Sequence, residues 1–215
     1  MSAAKITLAF QDYDHTRALI DGAVTVEGYD LKTTTISPPS QIFLRMLNKE
    51  EFDASEMSLS NYMIALEHGD RRFVGDSGFS VPGVSAFLYL DQHQRRYPGA
   101  ERSHRQRVGI ADYSMTALLF VRGMLKHVYD VLPEDIHWFR RRSEHVPIKA
   151  PAALRIDNIE KGQTLDGLLE EGKLDAVALT SPPRSFQSGS LRVRRLFPNA
   201  KEVEAEYIVE QGSFR

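Results

Sequence analysis

Apolar positions in this chain come in short clusters whose spacing alternates between strand and helix periods. Lys5-Ile-Thr-Leu-Ala-Phe10 is a brief apolar run that gives way at once to Gln11-Asp-Tyr-Asp14, so a buried strand ending in a turn is predicted. Asp14 or Thr16 can cap a short helix over residues 15–20, stopped at Gly22. Tyr29 to Ile36, rich in β-branched residues, predicts a second strand. Ser37-Pro-Pro-Ser40 opens a helix with Ile42, Phe43, Met46 and Leu47 as its stripe, since proline suits a first turn. Phe52 to Met57 predicts a strand. Ser58 to Ser60 opens a helix with Tyr62, Met63, Ala65 and Leu66 on its apolar side and Gly69 beyond its end. Arg72-Phe-Val74 predicts a further strand.

Gly75 to Gly83, with its glycines and a proline, breaks the pattern and predicts a loop and hinge. Beyond it, strands are predicted at 85–90, 107–110, 135–140, 174–179 and 191–196. Helices are predicted over 115–129, 165–170 and 200–211, and the polar stretch Asp91 to Arg105 reads as an exposed insertion. Strands alternating with helices define an α/β protein. The expected organisation is two lobes with a cleft between them, 1–83 plus 181–215 forming lobe 1 and 84–180 forming lobe 2. No internal repeat or low-complexity tract stands out.

Composition narrows the function. The 27 Lys and Arg residues nearly balance 29 Asp and Glu residues, which excludes a general polyanion binder and argues for no nucleic acid as partner. The absence of cysteine excludes disulfides, thiolate metal sites and cysteine nucleophiles. The first residues lack a signal-peptide apolar stretch, and no window has the apolar length of a membrane span. A cytoplasmic protein with no membrane association is expected.

The standard catalytic motifs are missing: there is no glycine-rich dinucleotide fingerprint, no phosphate-binding Walker loop and no His-Glu-x-x-His. Attention falls instead on the turns at carboxyl ends of strands, where α/β sheets bind ligands: Gln11–Thr16, Glu56–Ser60, Asp112–Thr116 and Thr180–Phe186. Asp12, Asp14 and His15 are close enough in sequence to exchange protons or to ligate a divalent cation; equally, Asp14 is a helix cap and His15 is solvated. Tyr13 can stack on a ligand ring or pack. Glu56, at the end of an apolar strand, is either an acid with a raised pKa or the partner of an arginine. Ser58 and Ser60 offer hydroxyls to a carboxylate, or are N-caps. Tyr113, Ser114 and Thr116 precede a helix and form an anion seat or a cap. Arg122 lies on an otherwise apolar stretch, and a buried arginine calls for an anion, from a ligand or from the protein. Arg184 can reach an acid or remain a solvated loop cation, and Arg140-Arg-Arg142 reads as a solvated edge. His137 and Trp138 read as packing residues on a strand.

Four blocks carry a resemblance. Phe10-Gln-Asp-Tyr-Asp-His-Thr-Arg-Ala-Leu19 is followed by Phe52-Asp-Ala-Ser-Glu-Met-Ser-Leu-Ser-Asn-Tyr62. Next come Arg107-Val-Gly-Ile-Ala-Asp-Tyr-Ser-Met-Thr-Ala117 with Val121-Arg-Gly-Met-Leu125, and then Val193-Arg-Arg-Leu-Phe-Pro198. In this order they resemble the 4,5-dihydroxyphthalate decarboxylase family over nearly the whole chain. The resemblance implies a two-lobe fold like that of type 2 periplasmic solute-binding proteins. It implies decarboxylation of a dihydroxylated aromatic dicarboxylate in the interlobe cleft, with a small anionic aromatic ligand and no organic cofactor; a divalent metal stays open. Asp12, His15 and Glu56 become the catalytic candidates. Tyr13, Ser58, Ser60, Tyr113, Ser114, Thr116, Arg122 and Arg184 become the substrate-binding candidates. Two departures favour the alternative, a non-catalytic cytoplasmic binding protein for a small anionic solute. Gly83-Val-Ser-Ala-Phe87 stands where the family carries an Arg-His pair, and the chain stops at Arg215, so that lobe 1 is expected to be C-terminally truncated and covered by homo-oligomer formation.

Overall fold

The computed structural model describes residues 3–75, 87–91 and 106–196. The chain divides into two compact units, Met1–Phe73 and Val74–Arg215.

In the first unit, β1 (Ala4–Phe10) lies between β2 (Tyr29–Thr35) and β3 (Ala54–Ser55), all parallel. The register sets Ala4 opposite Tyr29 and Phe10 opposite Thr35. A 3-10 turn (Asp14–Thr16) and α1 (Arg17–Ile20) follow β1, α2 (Pro39–Lys49) connects β2 to β3, and α3 (Leu59–Glu67) follows β3. Proline at the start of α2 removes no helical hydrogen bond, because the first amides have no partner within the helix. The α2 stripe seats Ile42 at zero exposure against Ala9 and Phe52, with Ile36, Phe43 and Met46 packed around them.

In the second unit, β4 (Phe87–Asp91), β5 (Gln106–Ile110), β6 (Ile136–Arg140), β7 (Arg155–Asn158), β8 (Ala176–Leu179) and β9 (Val193–Arg195) form one sheet in the order β7-β6-β5-β8-β4-β9. The β5, β6, β7 and β8 strands run parallel; β4 is antiparallel to both β8 and β9. Alternation along the central strands sorts the core into two layers. Val108, Ile110, Trp138, Ala176 and Ala178 meet Leu118, Val121, Met124 and Leu125 of α4 (Thr116–Tyr129) on one face. Val177 meets Leu165, Leu168 and Leu169 of α5 (Leu165–Glu170), together with Leu174 and Val193, on the other. Trp138 is fully buried, and its indole N–H donates to the Pro133 carbonyl at 2.9 Å, so its one polar atom is satisfied.

Gly109 faces α5, and a β-carbon there would stand 2.7 Å from Leu174 Cδ1 and 2.9 Å from Leu165 Cδ2. Both leucines are buried and have nowhere to retreat. Gly109→Ala is therefore expected to destabilise the protein by about 1–3 kcal/mol through overpacking. Urea unfolding checks it: the midpoint falls while the slope stays constant.

Most predicted elements are present, with informative differences. The strand expected over 52–57 is only Ala54–Ser55, because β1 pairs with it only at Leu8 and Ala9. Arg72-Phe-Val74 is not a strand: Arg72 donates instead to Asp70, Glu50 and the Leu47 carbonyl. Leu174 is apolar because it fills the α5 layer, not because it extends β8. The β7 strand and the short α6 (Arg184–Gln187) were not anticipated. Residues 181–196, expected with lobe 1, reach the second unit's sheet through β9. Much of the Gly75–Gly83 hinge, most of the Asp91–Arg105 insertion, the Ala200–Gln211 helix and most of the Gly83–Phe87 departure lie outside the described residues. Among the described residues, no helix is long and apolar enough to cross a membrane.

Candidate functional site

The first unit gathers its polar groups where β1 and β3 end side by side. The Glu56 amide donates to the Ala9 carbonyl at 3.1 Å, continuing the pairing past β3 and setting the glutamate beside the turn after β1. There the Gln11 amide donates to Glu56 Oε1 at 2.7 Å and the Tyr13 hydroxyl donates to Oε2 at 2.9 Å. Burial raises the Glu56 pKa above the ordinary carboxylate value, against the two donors and His15, which pull it down. Tyr13 is pushed up to about 12, first by burial and then by the neighbouring Glu56. Its ring stacks on His15, with centroids 5.1 Å apart and planes 8° from parallel. Two of the three acid–base candidates, Glu56 and His15, thus share Tyr13.

Asp12 is not part of this group: it forms an exposed ion pair with Arg17 at 2.7 Å. Among the described residues, no three His, Asp or Glu side chains gather as a metal centre, so the Asp12, Asp14 and His15 sequence cluster does not become one. Ser58 is the N-cap of α3, yet its hydroxyl does not cap that helix; it lies 3.2 Å from the Ser60 hydroxyl, and both serines are buried. The plain N-cap reading of Ser58 is thereby corrected.

In the second unit the corresponding place is the end of β5 and β6. Asp112 is 1% exposed and accepts from Arg142 through Nε at 2.8 Å and Nη2 at 2.5 Å, and from the Ser114 hydroxyl at 3.2 Å. Glu144 reaches back across the loop: its Oε1 accepts from the Tyr113 amide at 2.9 Å and its Oε2 from the Ser114 amide at 2.7 Å, with Arg140 at 3.2 Å. The predicted anion seat at Tyr113, Ser114 and Thr116 exists, but the protein's own carboxylate holds these two amides. Thr116 begins α4, whose N-cap is Met115. The Arg140-Arg-Arg142 edge is likewise corrected, since Arg140 and Arg142 hold Glu144 and Asp112. The Glu144 side chain is 4% exposed. Glu144→Ala leaves two amides without their acceptor and is expected to cost about 1–3 kcal/mol, read as a lower thermal midpoint.

Arg122 projects from α4 toward Tyr113. Its Nη1 donates to the Tyr113 carbonyl at 2.7 Å, and its guanidinium lies 3.9 Å from the centroid of the Tyr113 ring, which is itself edge-on to Trp138. Among the described residues no carboxylate is within ion-pairing distance of it, so the protein anion considered for Arg122 is absent there. Burial pulls the Arg122 pKa down, while Tyr113 and Glu144 oppose that shift. A desolvated guanidinium with donors to spare is a carboxylate receptor in chemical terms. Arg184 begins α6, is exposed, and forms no ion pair among the described residues.

Sequence reading named the Asp112–Thr116 turn but missed Glu144, and it read Arg142 as a solvated edge. The turn shares a short pattern with the first unit: Asp12-Tyr13-x-x-Thr16 after β1 and Asp112-Tyr113-x-x-Thr116 after β5.

Parallel strands flanked by helices, with polar turns at their carboxyl ends, define an α/β scaffold, and the fold is that of the periplasmic solute-binding proteins. The periplasmic aliphatic sulphonate binding protein SsuA from Escherichia coli matches 98% of this chain and 69% of its own at TM-score 0.53 and 11% identity. In sequence the chain is similar to the 4,5-dihydroxyphthalate decarboxylase of Comamonas testosteroni, 29% identical over a 227-residue alignment covering all of this chain. It is also 26% identical to the enzyme of the same name from Pseudomonas putida over 213 residues, 96% of this chain and 82% of that protein. These likenesses bear out the resemblance read from the four blocks. The chain spans 66% of the Comamonas relative, just under two thirds of its length. No family model matches.

Proposed function

We propose that this chain binds and decarboxylates a dihydroxylated aromatic dicarboxylate of the 4,5-dihydroxyphthalate kind. The observation that carries this reading is the likeness to two proteins named for that reaction across nearly the entire chain. The first unit supplies what the chemistry needs, a carboxyl whose burial favours the protonated form.

In the reaction, the ring hydroxyl para to the leaving carboxylate donates electron density toward the carbon that bears it. Glu56 delivers its proton to that carbon. The carbon–carbon bond then breaks, carbon dioxide leaves, and its bonding pair restores aromaticity. The product is 3,4-dihydroxybenzoate, and each turnover consumes one proton, which Glu56 regains from solvent. In the second unit, Arg122 is the group suited to receive a carboxylate. Within the first unit, Ser58 and Ser60 lie at the same strand end as the acid, and His15 flanks it through the Tyr13 stack; within the second, Ser114, Thr116 and Arg184 are the further candidates for a carboxylate.

Incubation with 4,5-dihydroxyphthalate, following carbon dioxide and 3,4-dihydroxybenzoate in equal amounts, tests the reading. Phthalate, which lacks the electron-donating hydroxyls, should raise the thermal midpoint without turnover. Stabilisation by both compounds with no carbon dioxide would replace the enzyme with a binding protein for a small anionic solute. No stabilisation and no turnover would reject both.

A further inference from the structure

The two donors on Glu56 are not alike. The Gln11 amide is a fixed N–H that can only donate, and it holds Oε1 at 2.7 Å. The Tyr13 hydroxyl on Oε2 at 2.9 Å can turn and accept instead. In a protonated carboxyl, the carbonyl oxygen is the better acceptor and the hydroxyl oxygen the donor. An N–H that cannot reverse therefore keeps Oε1 as the carbonyl, and the proton goes to Oε2, where Tyr13 can reverse and receive it.

Building on the decarboxylase reading, we propose that Tyr13 is a positioning residue: it fixes the transferable proton of Glu56 on Oε2 and orients it. The stack on His15 holds the Tyr13 ring in plane for this work. This role differs from the stacking on a ligand ring expected of Tyr13. The groups facing Glu56 are Tyr13, the Gln11 amide and His15, and all three favour its ionised form. Removing the hydroxyl takes away one donor to the carboxylate, so the carboxyl titrates at higher pH than before.

Tyr13→Phe removes one atom and tests this in two independent ways. The first is carbon-13 NMR of protein labelled at the glutamate side-chain carboxyl, with Glu56→Gln used to assign the Glu56 signal. The titration midpoint in Tyr13→Phe should lie above that of the wild type, and an equal or lower midpoint would overturn the proposal. The second is steady-state turnover of 4,5-dihydroxyphthalate. Here kcat should fall about 10- to 100-fold, the worth of one hydrogen bond to a charged group, with KM unchanged. An unchanged kcat with an unchanged KM would overturn the proposal, and a loss confined to KM would assign Tyr13 to substrate contact instead. If the wild type releases no carbon dioxide, the decarboxylase reading fails and the NMR midpoint alone decides whether Tyr13 governs the Glu56 proton.

Discussion

Glu56→Gln should lower turnover of 4,5-dihydroxyphthalate by about 100- to 10,000-fold, the range a positioned general acid contributes, while phthalate still binds. The substitution is gentle on structure: the amide oxygen still accepts from the Gln11 N–H, and the amide nitrogen can donate to the Tyr13 hydroxyl oxygen. What is lost is the proton. The wild-type rate should fall as pH rises through the Glu56 pKa, and that limb should be missing from the residual activity of the variant. Stability gives a second check. The folded-state pKa of Glu56 lies above its ordinary value of 4.5, so the fold favours the neutral carboxyl. Its stabilising contribution is complete below that ordinary value and is lost as pH climbs through the folded-state pKa. Glu56→Gln cannot ionise, so thermal melts across pH should show the variant gaining on the wild type over that interval. Turnover unchanged in the variant would remove Glu56 from the chemistry.

Arg122→Met should weaken phthalate binding by about 10- to 100-fold, the worth of a charge-assisted hydrogen bond, and raise KM far more than it lowers kcat. Two features set this expectation. The guanidinium has no carboxylate partner among the described residues, so removing it strands no buried anion. Its other contacts, the Tyr113 carbonyl and ring, are worth little more than a hydrogen bond and a cation–π contact. The thermal midpoint of the free protein should therefore change much less than the affinity. Arg122→Lys keeps the charge but not the planar fork, and should fall between the two. Equal calorimetric affinity for phthalate in wild type and Arg122→Met would dismiss the carboxylate-holding role.

The elements with strong periodicity were legible in the residues. The α2 stripe buries Ile42 and Leu47, and α4 and α5 lie close to where the pattern places them, but Met63, expected on the apolar side of α3, is 56% exposed. Boundaries set by a partner were not legible. Nothing within Phe52 to Met57 says that β1 will pair with only two of its residues, and Arg72-Phe-Val74 lost its strand to side-chain bonds that no local pattern encodes. The first-unit site could be named as Glu56, Tyr13 and His15, because β1 and β3 end beside each other. Glu144 could not be: it lies 30 residues from Ser114 in sequence and is hidden in an arginine-rich run. A carboxylate in such a run reads as surface charge until the fold shows it accepting amides across the loop.

The turn after β5 carries its own counter-ion. With the Glu144 carboxylate seated on the Tyr113 and Ser114 amides, the protein itself sets the shape of that loop. If the proposed reading holds, an acid would spend none of its affinity on ordering this loop, and selectivity would fall to Arg122, which has no carboxylate partner among the described residues.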